Sequence, residues 1–156
     1  MKKIVYVDMD NVLVDFQSGI DQLNTNQLKE YEDRLDEVPG IFGLMTPMQN
    51  AIASYIELTK HFDVYILSIS PWDNETAAMD KLRWVKKYLG KVAYKRLILS
   101  HHKNLNSGHY LIDDRTKNGA DKFKGEHIHF GTKSFPNWTT VTDYLVQSKH
   151  LKTATK

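Results

Sequence analysis

The stretch Ile4-Val5-Tyr6-Val7-Asp8-Met9-Asp10-Asn11-Val12 decides how the rest of the chain is read. A short β-branched run that stops on two carboxylates has the pattern of a buried strand carrying acids to its carboxyl end, where open α/β sheets hold their ligands. Four similar runs follow: Val64 to Leu67, Leu97 to Leu99, Tyr110 to Ile112 and Ile128 to Phe130. Each has the length of a buried strand. Helical stripes lie between them, Ile52, Tyr55, Ile56 and Thr59 in one and Ala78, Leu82, Val85 and Leu89 in the next. Gly90 follows the second stripe as a helix-ending residue, and Pro136-Asn137 introduces a third at Trp138, Val141 and Leu145. This alternation predicts an α/β fold with a mostly parallel sheet flanked by helices on both faces.

The segment from Gln17 to about Pro39 breaks the alternation. It is polar and charged, with apolar residues at Ile20, Leu23, Leu28, Tyr31, Leu35 and Val38, and it ends in the breakers Pro39-Gly40 and Gly43. It reads as a small helical insertion after the first strand, covering about residues 17–45 within a single domain of residues 1–156. The tail from Lys149 to Lys156 is basic and polar and reads as frayed.

Composition bounds the function. The chain is 41% hydrophobic and 26% charged, within the range of a soluble globular domain. Lys plus Arg number 21 against 19 Asp plus Glu, a net of +2, too weak a bias for a dedicated binder of nucleic acid or anionic membrane. The absence of cysteine removes disulfide scaffolds, Cys-type zinc sites and thiol nucleophiles, and suits a reducing compartment. The apolar run after Met1-Lys2-Lys3 is cut by Asp8, which is too early for a signal peptide. Nor does any stretch approach the roughly 18 apolar residues of a membrane span, so a soluble cytoplasmic protein is expected.

The chemistry-bearing residues recur at strand ends. Asp8 and Asp10 close the first run, and Asp113-Asp114 close the fourth. Acids from two strand ends at one sheet edge would converge, and clustered carboxylates stay ionised only around a cation, for which oxygen-rich coordination of Mg2+ is the natural solution. The second strand ends in Ser68-Ile69-Ser70-Pro71, which offers a hydroxyl from Ser68 or Ser70, with Ser68 nearer the strand. The third is followed by Ser100-His101-His102-Lys103, which offers an ammonium. A hydroxyl and a lysine opposite a metal suit phosphate oxygens. His127-Ile128-His129 sets two imidazoles on one side of a strand, and without a third ligand nearby it reads as a surface strand rather than a zinc site.

The order D-x-D, Ser, Lys, D-D resembles the four-motif signature of the haloacid dehalogenase-like phosphohydrolase superfamily, over Lys3 to about Gly119. More narrowly, Val7-Asp8-Met9-Asp10-Asn11-Val12-Leu13-Val14-Asp15-Phe16, Pro39-Gly40, Ser70-Pro71, Trp84 to Gly90 and Leu111-Ile112-Asp113-Asp114-Arg115 resemble the 5′(3′)-deoxyribonucleotidase family. The resemblance implies a Rossmann-like sheet with a helical cap in the insertion. It makes Asp8 the nucleophile that forms an aspartyl-phosphate and Asp10 the general acid and base. Mg2+ would be held by Asp8, the main-chain carbonyl of Asp10 and one of Asp113 or Asp114, and Ser68 and Lys103 would hold the phosphoryl oxygens. Lys81 stands at a family-matching position from which it would reach the phosphate. Where the family commonly has Gly this chain has Asn11, the non-glycine residue best suited to a left-handed turn.

The implied partner is a small phosphomonoester, most naturally a nucleoside monophosphate, with Ser70 beside the phosphate and Phe16 and Trp72 placed to sandwich a base. No nucleic acid polymer and no membrane is expected as partner. The alternatives are a phosphatase of the same superfamily for another small metabolite, a receiver-like phosphoacceptor signalling domain, and a metal-binding scaffold without turnover. The D-x-D motif and the insertion favour hydrolysis.

Overall fold

The computed structural model describes residues 1–153 of the chain. Its centre is a five-stranded parallel sheet of β1 (Ile4–Val7), β4 (Asp63–Ser68), β5 (Leu97–Leu99), β6 (Tyr110–Asp113) and β7 (Glu126–His129), in the spatial order β5-β4-β1-β6-β7. Because β1 lies in the middle, with β4 on one side and β6 on the other, the chain reverses its winding direction there. Asp8 and Asp10 therefore sit at the switch point of the sheet.

Between β1 and β4 run β2 (Val14–Asp15), α1 (Phe16–Ile20), α2 (Thr25–Glu30), α3 (Ile41–Leu44), β3 (Thr46–Pro47) and α4 (Ala51–His61). β2 and β3 pair antiparallel and form the stem on which α1 to α3 sit. Asp15 caps α1 by accepting from the Gln17 N–H, and Asn24 and Gln27 form a reciprocal capping box at the start of α2. A polar segment thus becomes short helices through these caps together with Ile20, Leu23, Tyr31 and Leu35, which pack against the core.

The sheet faces are covered unequally. On one, Val5, Val7, Ile66 and Ile112 join a large core with α4, α5 (Ala77–Tyr88) and α6 (Trp138–Thr153). On the other, where the alternation predicts helices as well, Tyr6, Leu67 and Leu111 meet Ala120 and Phe123 beside a short 3-10 turn instead, because the links from β5 to β6 and from β6 to β7 are too short to hold an α-helix. Trp138, Val141 and Leu145 of α6 are all buried, as their spacing predicts, and Asn137 accepts from the Thr140 N–H at the helix start. Helix α6 runs into the tail that reads as frayed, and residues 154–156 of that tail lie outside the described residues. Among the described residues no helix is long and apolar enough to cross a membrane.

Three finer sequence expectations also shift. The last strand begins at Glu126 rather than Ile128, because its ladder with β6 starts at the pair Tyr110–Glu126 and tolerates polar residues at a sheet edge. In α4 the buried face is Ala51, Ser54, Tyr55 and Leu58: Tyr55 is in the core as its stripe predicts and Ile52 packs partly against it, but Ile56 is 39% exposed. In α5 the buried face is Ala77, Asp80, Lys81, Trp84 and Val85, which leaves Ala78 and Met79 exposed beside an apolar groove against β5. An apolar stripe cannot reveal a helix whose inner face carries charge. Gly90, at φ 54, ends α5 in the left-handed conformation expected of it.

The helix phase in α4 is directly testable. Leu58→Ala should cost about 2–5 kcal/mol in urea unfolding. Ile56→Ala, removing a side chain that the sequence stripe assigns to the core in place of Leu58, should cost about 1 kcal/mol or less.

Candidate active site

The turn after β1 is built on the Met9 carbonyl, which accepts the N–H groups of Val12, Leu13 and Val14 at 3.1, 2.9 and 2.9 Å. Asn11 takes the left-handed conformation at φ 57, so asparagine serves where glycine is common. The Asp8 N–H donates to the Ile112 carbonyl at 2.9 Å, which carries the β1–β6 ladder one residue past the strand and sets Asp8 beside Asp113.

Two buried lysines divide the acids between them. Lys103 is 3% exposed, and its ammonium lies 3.0 Å from Asp8 Oδ1 and in hydrogen-bond contact with Asp113 Oδ2. Lys81 is 1% exposed and reaches in from α5. Its ammonium donates to both Asp10 carboxylate oxygens at 3.0 and 3.2 Å, to Ser68 Oγ at 2.9 Å and to the Ile69 carbonyl at 2.8 Å. It also lies 4.4 Å from the centre of the Phe42 ring, which links α3 to the site. Lys81 is thus no solvated helix lysine, and its burial explains the phase of α5.

Lys103 is held by a crossing of two segments. Its N–H donates to the Asn118 carbonyl at 2.8 Å, and Gly119 next to it stands at φ 80. A Cβ on Gly119 would lie 2.1 Å from Asn104 Oδ1, so glycine is what lets the segments after β5 and β6 pass each other.

Asp8, Asp113 and Asp114 each offer a carboxylate oxygen within 4.8 Å of the others. Asp114 Oδ1 is buried without a hydrogen-bond partner, and Asp113 Oδ1 accepts from the Arg115 N–H at 2.9 Å. An all-oxygen trio with an orphaned carboxylate atom suits a hard divalent cation such as Mg2+. Asp10 stands apart from this trio, its carboxylate turned to Lys81.

The electrostatics follow the same division. Burial and then the charge of Asp8 push the Asp113 carboxyl up to about 6 against the pull of Lys103. Burial and Asp8 likewise raise Asp114 to about 6, against Arg115. Burial raises Asp10 as well, and Lys81 offsets part of the rise. For Lys103, burial works against the charge, but Asp8 and Asp113 outweigh it and hold the ammonium above the ordinary lysine value.

The other expected residues are less concentrated. Ser68 is fully buried at the end of β4, and Ser70 is partly exposed two residues on. Phe16 packs edge-on against Phe42 at 6.0 Å, whereas Trp72 is 86% exposed and meets the His101 ring edge-on. The cleft over the acids is also lined by Arg115, which closes the D-D motif, and by Lys117 and Asn118, which motif reading leaves out although they lie three and four residues past Asp114. His127 and His129 stack on β7 with ring centres 5.2 Å apart. Burial holds His127 below the ordinary histidine value.

Known proteins resemble the chain in sequence and in fold. Residues 30–149 match the family model described as 5′ nucleotidase, deoxy (Pyrimidine), cytosolic type C protein. A protein of Vibrio phage KVP40 described as a 5′(3′)-deoxyribonucleotidase is 67% identical over 144 residues, covering 92% of this chain and 85% of that protein. The chain belongs to the 5′(3′)-deoxyribonucleotidase family. It is accordingly a phosphoric monoester hydrolase, which sets aside the signalling-domain and inert-scaffold readings. A Staphylococcus aureus protein of the same description is 29% identical over 150 residues, with 83% of this chain and 82% of that protein covered. A haloacid dehalogenase-like family hydrolase from Streptococcus pneumoniae shares the fold with a TM-score of 0.55 at 14% identity, over 92% of this chain and 90% of that one.

A folded-state carboxyl near 6 is harder to ionise than its unfolded counterpart near 4, so Asp114 destabilises the metal-free fold fully above about pH 6, and the penalty fades as pH falls toward about 4. Metal-free Asp114→Asn protein should therefore melt above the wild type at about pH 8. The difference should shrink on acidification, as followed by circular dichroism melts across pH.

Proposed function

We propose that the protein is a Mg2+-dependent 5′(3′)-deoxyribonucleotidase that releases phosphate from nucleoside monophosphates through an aspartyl-phosphate on Asp8. The observation that carries this reading is the division of the acids: Asp8 shares a cation-ready cluster with Asp113 and Asp114, while Asp10 is held apart by Lys81. Asp8, Asp113 and Asp114, with the Asp10 main-chain carbonyl that the family resemblance implies, would hold the ion. Bound there, Mg2+ supplies positive charge that offsets the repulsion between a carboxylate nucleophile and a phosphoryl group.

Asp8 attacks phosphorus, and the bond to the ester oxygen breaks. Asp10, kept protonable by burial, gives its proton to the leaving alkoxide. The same carboxylate then takes a proton from water, which attacks phosphorus, frees inorganic phosphate and restores Asp8. Lys103 and Ser68 steady the phosphoryl oxygens, and Lys81 fixes Asp10 and contributes charge toward the phosphate.

In this reading the chain is one domain whose segment of about residues 17–45 caps the site. Two or three short helices can cover a nucleotide but leave no room for a polymer. Phe16, at the start of α1, and Trp72, in the loop after β4, would bracket the base, with Ser70, two residues before Trp72, toward the phosphate. The protein would act in the cytoplasm on small substrates, without nucleic acid polymer or membrane as partner.

A phosphate-release screen with Mg2+ tests the assignment. Deoxyribonucleoside monophosphates should be hydrolysed better than sugar phosphates, EDTA should stop the reaction and excess Mg2+ should restore it. Sugar phosphates winning that screen would point to another small-metabolite phosphatase. Asp8→Asn should fold and lose turnover, and Asp10→Asn should slow it by about 10²–10⁴-fold. Phe16→Ala and Trp72→Ala should chiefly raise KM for nucleotides while sparing a small aryl phosphate, in keeping with about 1–3 kcal/mol of base stacking.

A further inference from the structure

Strand β7 supplies a pair of side chains that the reaction scheme leaves unused. His127 and His129 are two residues apart and so share one side of the strand. His127 Nε2 lies 3.2 Å from the Asp113 carbonyl, and His129 Nε2 lies 3.0 Å from the Asp114 carbonyl. A carbonyl oxygen can only accept, so both imidazoles carry hydrogen on Nε2. Their rings are nearly parallel, at 21°. Lone pairs in two such planes run side by side instead of converging, which is the wrong geometry for a shared zinc ion.

The carbonyls they reach belong to the acidic turn. In the β6–β7 ladder His127 stands opposite Leu111, yet its ring extends forward to Asp113. The Asp113 carbonyl also accepts the Phe130 N–H at 3.0 Å. Asp114 follows the last residue of β6, and its carbonyl accepts from His129. Two consecutive side chains can be aimed at one point only if the peptide planes between them are fixed. The Arg115 N–H fixes the Asp113 carboxylate itself, and the two imidazoles fix the main chain beneath both acids.

We propose that His127 and His129 are positioning residues for the cation site: their Nε2–H donors orient the Asp113-Asp114 turn and thereby set the affinity for Mg2+. This rests on the reading that Asp8, Asp113 and Asp114 hold the ion. Groups that orient metal ligands from behind typically change metal affinity by about 10–100-fold when removed.

The test is calorimetric titration of Mg2+ into EDTA-treated protein without substrate. His127→Leu and His129→Leu should each weaken binding by about 10–100-fold. His127→Gln and His129→Gln, whose amide nitrogen stands near the place of Nε2, should restore most of it. At saturating Mg2+ the Leu variants should recover phosphate release, as a loss of affinity rather than of catalysis requires. Should the Leu variants fail to fold, nitrogen NMR of the wild-type rings decides: Mg2+ should shift the Nε2–H signals of His127 and His129 and leave that of His61, which faces Glu57, unmoved. Unchanged Mg2+ affinity in folded Leu variants, Gln variants as weak as Leu, or silent ring signals would each overturn the proposal. Wild-type protein that binds no Mg2+ would overturn the cation reading and this proposal together, whereas normal wild-type binding with indifferent variants would overturn the histidine role alone.

Discussion

The ammonium of Lys103 lies between the carboxylates of Asp8 and Asp113, which arrive on adjacent parallel strands. Two acids buried side by side in a medium of low polarity repel strongly, and removing their shared cation would leave uncompensated charge of the kind that typically costs about 3–5 kcal/mol. The sheet can therefore bring β1 and β6 together at their acidic ends because the segment after β5 returns a lysine across them. Registry, burial and charge balance meet in that one side chain.

Lys81 repeats the arrangement for Asp10, but from a helix. Its four polar contacts and its seat over Phe42 tie α5 both to the sheet edge and to the helices that follow β2. With one cation assigned to Asp8 and another to Asp10, two carboxylates only two residues apart acquire different neighbours. Different neighbours allow different jobs, one acid ligating and attacking, the other holding a proton.

Much of this was legible because strand ends are short, apolar and punctuated by the acids themselves. β1 and β5 fall where the pattern sets them, and Asp8, Asp113 and Lys103 converge as their order along the chain implies. The phases of α4 and α5 were legible only in part, with Tyr55, Val85 and Leu89 buried as their stripes predict. Apolar periodicity weighs Ile56 and Ala78 alike as core, yet the faces that turn inward carry Ser54, Asp80 and Lys81. Sequence could nominate Lys81 by family position but not show its hold on Asp10, since that contact spans 71 residues. Likewise His127 and His129 looked like surface residues, because nothing local says that a neighbouring strand will end in carbonyls within their reach.

The crossing at Gly119 and Asn104 has a consequence for how such a chain can be altered. The two loops on either side of it, one bearing Lys103 and the other descending from Asp114, are interlocked parts rather than independent appendages. Grafting either from a relative by itself would drive a mismatched surface into the seam. Recombination that respects the seam must carry residues 100–106 and 114–120 as one block, so the two loops form a single unit of inheritance although the seven residues 107–113, core strand β6 among them, separate them.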